Sequence, residues 1–162
     1  VVFAAERFPA FPLAYPFLLV ASGIGAIGAA VYLGSAKERR RPALFIAVVA
    51  MVEMLAILLF AFSTEYAISL ALMLVVGAAA VVTQSLTNTT LQLSAPDRIR
   101  GRVMGAYSFG TQGLRVVNGP LLGGLATLIG VPLAVAGSAG LVLVVLGGLV
   151  LAVPQLRAAD RP

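Results

Sequence analysis

Histidine, cysteine and tryptophan are all missing from this chain of 162 residues, and only 10% of its side chains are charged. Without thiols or imidazoles there is no zinc-type metal site and no nucleophile–base pair built on those groups. The expectation is no catalytic residue, no metal and no cofactor. The lack of cysteine also removes any reading of redox compartment. A soluble domain carries about 25% charged residues, so the shortage of charge alone excludes an ordinary water-facing surface.

What fills the chain instead is apolar. Hydrophobic residues make up 60% of it and the mean hydropathy is +1.05. The apolar residues fall into five runs, at about 13–34, 43–62, 66–93, 103–129 and 132–153. Each approaches or exceeds the roughly 20 residues that a helix needs to cross hydrocarbon. Pro42 and Pro132 stand at helix starts, where a missing N–H costs little. Ser63 or Thr64 can cap the third helix, and Pro96 ends it with Asp97 placed to cap the fourth. Gly119-Pro120 should bend the fourth helix from within. The class is an all-α membrane protein with five transmembrane helices. Small residues, such as Gly23, Gly25 and Gly28 in the first run, fit close helix packing in lipid. Their GxGxxG spacing lacks the strand that a nucleotide fingerprint requires. Asn88-Thr89-Thr90 is a chance glycosylation sequon at this place.

Charge sets the orientation. Of the 11 Lys and Arg residues, nine fall in three clusters: Lys37 with Arg39, Arg40 and Arg41; Arg98 with Arg100 and Arg102; Arg157 with Arg161. Arg7 alone stands on the opposite side, and Arg115 lies inside a run. The positive-inside rule puts the three clusters, and the C-terminus, in the cytoplasm of a multi-pass protein of the cell membrane. This clustering between apolar runs argues for the lipid bilayer, and against nucleic acid, as the partner of the net charge of +5.

Polar residues inside the runs mark the candidate site. Gln84, Asn88 and Gln92 recur every four residues and share one helix face. Past the basic turn PDRIRGR, the residues Ser108, Thr111, Gln112, Arg115 and Asn118 occupy about one third of the next helix's circumference at about 100° per residue. Such residues line a polar pathway or act as glue between helices. Arg115 lies about 20 Å past Arg102 at 1.5 Å per residue, too deep to reach the cytoplasmic headgroups. It is a substrate or gating contact, or a structural group in an ion pair or hydrogen-bonded to free carbonyls near the Gly119-Pro120 bend. Glu53, about 16 Å past Pro42 on the same rise, is a proton-coupling carboxylate or a structural group between helices. Asp97, Arg98, Arg100 and Arg102 anchor the turn at the headgroups, or latch carboxylates and helix ends across the cytoplasmic face.

The order of these parts resembles the C-terminal half of a major facilitator superfamily transporter. The resemblance rests on GIGAIGAAVYLGSAKERRRP, on the turn APDRIRGRVMG, and on FGTQGLRVVNGPLLGG followed by a last glycine-rich helix. The pattern NxxxQ…PDxxRGRV is similar to the exporter branch that includes enterobactin and macrolide efflux proteins. The loop SAKERRRP departs from the family's acidic-glycine-basic motif. By this resemblance residues 1–162 are a partial C-terminal half with helices eight to twelve of twelve, and Val1 to Ala5 end helix seven. The first, third and fourth spans would line a central cavity, with the second and fifth peripheral. The implied activity is secondary active efflux of a small amphipathic molecule, such as a drug or siderophore, by alternating access. The implied partners are that small-molecule substrate and an N-terminal six-helix half. A non-transporting membrane scaffold or partner subunit is the alternative.

The topology is directly testable. Single cysteines at Ser35 and Ala95 should label from the cytoplasmic side and one at Ser63 from outside. Labelling of Ser35 and Ser63 from the same side rejects the arrangement.

Overall fold

A computed structural model describes residues 13–35 and 43–152, apart from the side chains of Leu114, Arg115 and Val117. The expectations for Arg7, for the loop at Lys37–Arg41 and for Arg157 and Arg161 lie outside the described residues. Five helices follow one another: α1 (Ala14–Ser35), α2 (Ala43–Phe62), α3 (Tyr66–Ser94), α4 (Arg100–Ile129) and α5 (Val131–Ala152). Their bounds match the apolar runs to within a residue, except that α4 begins three residues earlier, inside the basic turn. By length and composition α1, α2, α3 and α5 can each cross a membrane. At 30 residues α4 is long enough, but Gln112, Arg115 and Asn118 dilute its apolar stretch.

The helices pack as a curved row rather than a ring. α1 lies on α3, α3 on α2, α2 on α5, and α5 on α4, while α3 and α4 touch only slightly. The interior is made of small side chains. Ala21, Ala29, Ala56, Ala61, Ala79, Ala134, Ala136 and Ala139 are buried, and Leu18 is the one large apolar side chain among the buried described residues, packed near Phe60, Leu70 and Met73. Large apolar residues point out instead, with Phe109 82% and Leu128 83% exposed. This reverses the arrangement of a soluble domain and suits lipid. There, burial of large side chains gains little, and close backbone contact holds helices together.

Two glycines make the tightest of these contacts. A Cβ on Gly25 of α1 would land on the Leu74 carbonyl of α3, and a Cβ on Gly77 of α3 would land on the Ser22 carbonyl of α1. Both obstacles are backbone and cannot rotate away. Gly23 and Gly28 meet nothing within 4 Å, and the same holds for Gly119, Gly123, Gly124, Gly137, Gly140, Gly147 and Gly148. So of the three glycines in the GxGxxG spacing only Gly25 serves packing within the described residues. Gly130 ends α4 at φ 86°, a conformation that suits glycine, and its N–H bonds to the Ala126 carbonyl at 3.0 Å.

The connections differ from expectation in detail. Neither Ser63 nor Thr64 caps α3; the N-cap position is Glu65, with no side-chain cap bond. Ser63 turns inward instead and, with the fully buried Ser69, ties the turn together. The Ser69 hydroxyl lies 3.0 Å from both the Ser63 Oγ and the Glu65 carbonyl, and the Ser63 hydroxyl donates to that carbonyl at 3.2 Å. A serine engaged this way is unavailable as a cap. α4 runs unbroken from residue 100 to 129 through Pro120, which has no N–H to offer the Val116 carbonyl. Ser63 and Ala95 are buried, at 9% and 7% exposure. The exposed neighbours Thr64 and Ser94 are therefore the better positions for cysteine labels.

The α1–α3 crossing predicts an uneven glycine scan. Gly25→Val or Gly77→Val should destabilise the full-length protein by about 1–3 kcal/mol or more, the usual cost of overpacking. Gly23→Ala and Gly28→Ala should leave the melting temperature in detergent nearly unchanged. Equal melting temperatures across all four variants would reject the crossing.

Candidate functional site

Two regions carry the polar chemistry, and the turn between α3 and α4 fixes their relation. α3 ends because Pro96 has no N–H. The Ala95 N–H still reaches the Leu91 carbonyl at 3.0 Å, but the Gln92 carbonyl loses the donor that residue 96 would have given. Arg100 supplies it. Its Nε donates to the Gln92 carbonyl at 3.0 Å, and its Nη2 reaches the Ala95 carbonyl at 3.4 Å. A cation at a helix C-terminus also meets the negative end of the helix dipole. The same guanidinium pairs with Asp97 at 2.7 Å.

Asp97 is therefore not the cap of α4. The N-cap position is Ile99, again with no side-chain cap, and Asp97 is taken by Arg100 one turn along. The Pro96 carbonyl accepts the N–H groups of Ile99 and Arg100, both at 3.0 Å. Arg98 and Arg102 are exposed and form no ion pair among the described residues. Arg100 closes the end of α3 onto the start of α4, within one turn of chain.

Inside the span, Gln84 and Asn88 of α3 and Tyr107, Ser108, Thr111 and Gln112 of α4 line one cavity of about 160 Å³. The two helices touch only slightly, and the cavity lies between them. Every described lining side chain is an amide, a hydroxyl or a phenol. The Thr111 hydroxyl donates back to its own helix, at 3.0 Å to the Tyr107 carbonyl and 3.2 Å to that of Ser108, so only its lone pairs face a ligand. The carboxamides of Gln84, Asn88 and Gln112 make no hydrogen bond to another described residue.

Not every polar residue singled out in the sequence joins this cavity. Gln92 lies one turn nearer the basic turn, where its backbone serves Arg100 and its side chain is exposed. Asn118 is exposed farther along α4. The backbone of Arg115 lies in α4, one turn past Gln112, but its side chain is outside the described residues. Glu53 is half-buried on α2, which packs against α3 and α5 and away from the cavity, and it has no ion pair among the described residues. The described lining comes from α3 and α4, with nothing from α1. Tyr107 was passed over in the sequence. The signal for it was its position one residue before Ser108, beside the polar stripe of α4.

The turn generates a paired prediction. Arg100→Met should lower the melting temperature of the full-length protein, because two helix-end carbonyls lose their donor, at about 0.5–1.5 kcal/mol per bond. Asp97→Asn removes only a surface ion pair on a 91% exposed carboxylate and should change stability by less than about 1 kcal/mol. A larger loss from Asp97→Asn than from Arg100→Met would reverse the assignment.

Comparison with known proteins places this geometry. The profile of a family described as transmembrane secretion effectors matches residues 2–162. The chain is 28% identical over 155 residues to the enterobactin exporter EntS of Escherichia coli (strain SMS-3-5 / SECEC), covering 89% of this chain and 37% of that protein. The same figures hold for EntS of Escherichia coli O7:K1 (strain IAI39 / ExPEC). The chain thus spans little more than a third of these curated relatives, and no solved structure matches it. With five helices of inverted, lipid-suited packing and a profile match over nearly its whole length, the chain belongs to the transmembrane secretion effector family of the major facilitator superfamily.

Proposed function

We propose that residues 1–162 form part of a secondary active exporter that moves a small amphipathic molecule across the cell membrane by alternating access, with the α3–α4 cavity on its substrate pathway. The observation that carries this reading is the set of three carboxamides, on two helices, facing one cavity and bonded to no other described residue. Gln84 and Gln112 are exposed on this face and Asn88 is half-buried, so their carboxamides are not tied up in joining helices among the described residues. Groups left unpaired at a cavity are available to a ligand. The family and the printed name of its relatives, an enterobactin exporter, support export as the direction. An N-terminal six-helix half would supply the other wall of the pathway, and alternation would rock the two halves about it. The basic clusters would face the cytoplasm, as would the C-terminus. Gln92, Arg115 and Asn118 would extend the pathway toward its two ends, while Glu53 lies off it.

Export of enterobactin by the full-length protein, measured in cells or everted vesicles, tests the reading. A substrate hydrogen bond is worth about 0.5–1.5 kcal/mol. Gln84→Ala, Asn88→Ala and Gln112→Ala should therefore each slow transport by roughly 2–12-fold, and the triple variant by more, at nearly unchanged melting temperature. Arg115→Met should also slow transport without loss of stability. Normal export by the triple variant rejects the pathway, and loss of folding in parallel with transport makes the amides structural. A protein that exports neither enterobactin nor an amphipathic dye favours a scaffold role.

A further inference from the structure

Where α2 runs into α3 the two helices form a second space, of different chemistry from the cavity beside α4. It holds about 390 Å³, within the roughly 300–1,000 Å³ of sites that take a small molecule. Leu59 and Phe62 of α2 face Ile68 and Leu72 of α3 across it, and the turn at 63–65 supplies the rest of its lining. Leu59, Phe62 and Ile68 are each more than half exposed. Both helices have the length and composition of membrane spans, so these walls face hydrocarbon and the turn lies at its boundary. Tyr66 opens α3 beside the turn, and tyrosine collects at the headgroup level of a membrane.

The turn gives the groove a polar end of one charge. Ser63 is directed inward, bonded to Ser69 and to the Glu65 carbonyl. Thr64 and Glu65 are exposed. Glu65 occupies the N-cap position of α3, yet its side chain makes no cap bond, so the carboxylate is not folded back onto the helix. Between Ala43 and Leu72 the sequence holds no lysine or arginine. A groove that is apolar along its walls and anionic at its end matches an amphiphile with a hydrocarbon chain and a cationic head.

We propose that this groove docks a phospholipid whose headgroup ends in a primary ammonium. Part of one acyl chain lies between the walls of α2 and α3, and the ammonium meets the Glu65 carboxylate beside Thr64. A primary ammonium brings three N–H donors to that carboxylate. The quaternary nitrogen of choline carries the same charge and no donor, so Glu65 separates two headgroups of equal net charge. A lipid is the occupant, rather than a free amphiphile, because the walls stand where lipid is the solvent. The proposal is independent of the α3–α4 pathway.

Native mass spectrometry of the full-length protein tests it, with phosphatidylethanolamine and phosphatidylcholine of identical acyl chains added in one detergent. Phosphatidylethanolamine should bind about two- to fivefold more tightly, the range of an exposed ion pair. Glu65→Gln should remove that preference at unchanged melting temperature, and Glu65→Asp should retain it. Ile68→Trp, which fills the groove, should weaken binding of the preferred lipid. If that variant melts early, Leu59→Trp on the facing wall repeats the test. Equal affinity for the two lipids in the wild-type protein overturns the proposal, as it would if another part of the full-length protein covers the groove. A preference that survives Glu65→Gln overturns it by placing the selective site elsewhere. A preference lost in Glu65→Gln but untouched by filling the groove also overturns it, because the headgroup contact then needs no docked chain.

Discussion

The contact on which the rest depends is the crossing of α1 and α3 at Gly25 and Gly77. In hydrocarbon a leucine on a helix surface is as well solvated as one between helices, so burial alone cannot draw two helices together. What remains is dispersion between closely approaching backbones, and only a residue without a Cβ permits it. Here each glycine faces a carbonyl of the other helix, Leu74 for Gly25 and Ser22 for Gly77. The contact is reciprocal, and it fixes both the rotation and the height of α3. α2 then packs on α3, and α5 on α2, in a bundle whose buried side chains are mostly alanine.

The same stripe of α3 does two things along its length. Gly77, Gln84 and Asn88 fall within roughly 40° of one another at about 100° per residue. In the first half of the helix that stripe is glycine and lies against α1. In the second half it is carboxamide and borders the cavity with α4. A helix of 29 residues can do both because the glycine contact stops before the polar residues begin. The close contact of the first half fixes the direction in which the backbone of α3 presents Gln84 and Asn88.

Much of this was legible in the sequence, for a reason specific to lipid. Apolar runs long enough to span must be helices, since no other open structure satisfies its backbone there. That is why the helix bounds were read nearly to the residue. The meeting of Gln84 and Asn88 with Ser108, Thr111 and Gln112 also followed from periodicity, once the turn made their helices neighbours in the chain. Caps were not legible. Ser63, Thr64 and Asp97 are all good N-cap residue types, yet a buried serine pair and an ion pair claimed two of them, and those competing partners are visible only in three dimensions. Nor did the glycine pattern show which glycines touch, because a GxGxxG spacing says nothing of where the neighbouring helix crosses.

The basic turn shows how little of a charged motif need be long-ranged. PDRIRGR carries three arginines and an aspartate, and its composition invites a latch across the cytoplasmic face. Arg100 spends its guanidinium on the two carbonyls that proline and the helix end leave open, and on Asp97 beside it. This joins α3 to α4 at one end with a stiff corner, and the two helices touch only slightly among the described residues. Two long helices fixed at one end form a wedge. α4 is held along its length by α5, which α2 ties back to α3, so the opening of the wedge is set by the whole chain of helix contacts and not by the corner alone.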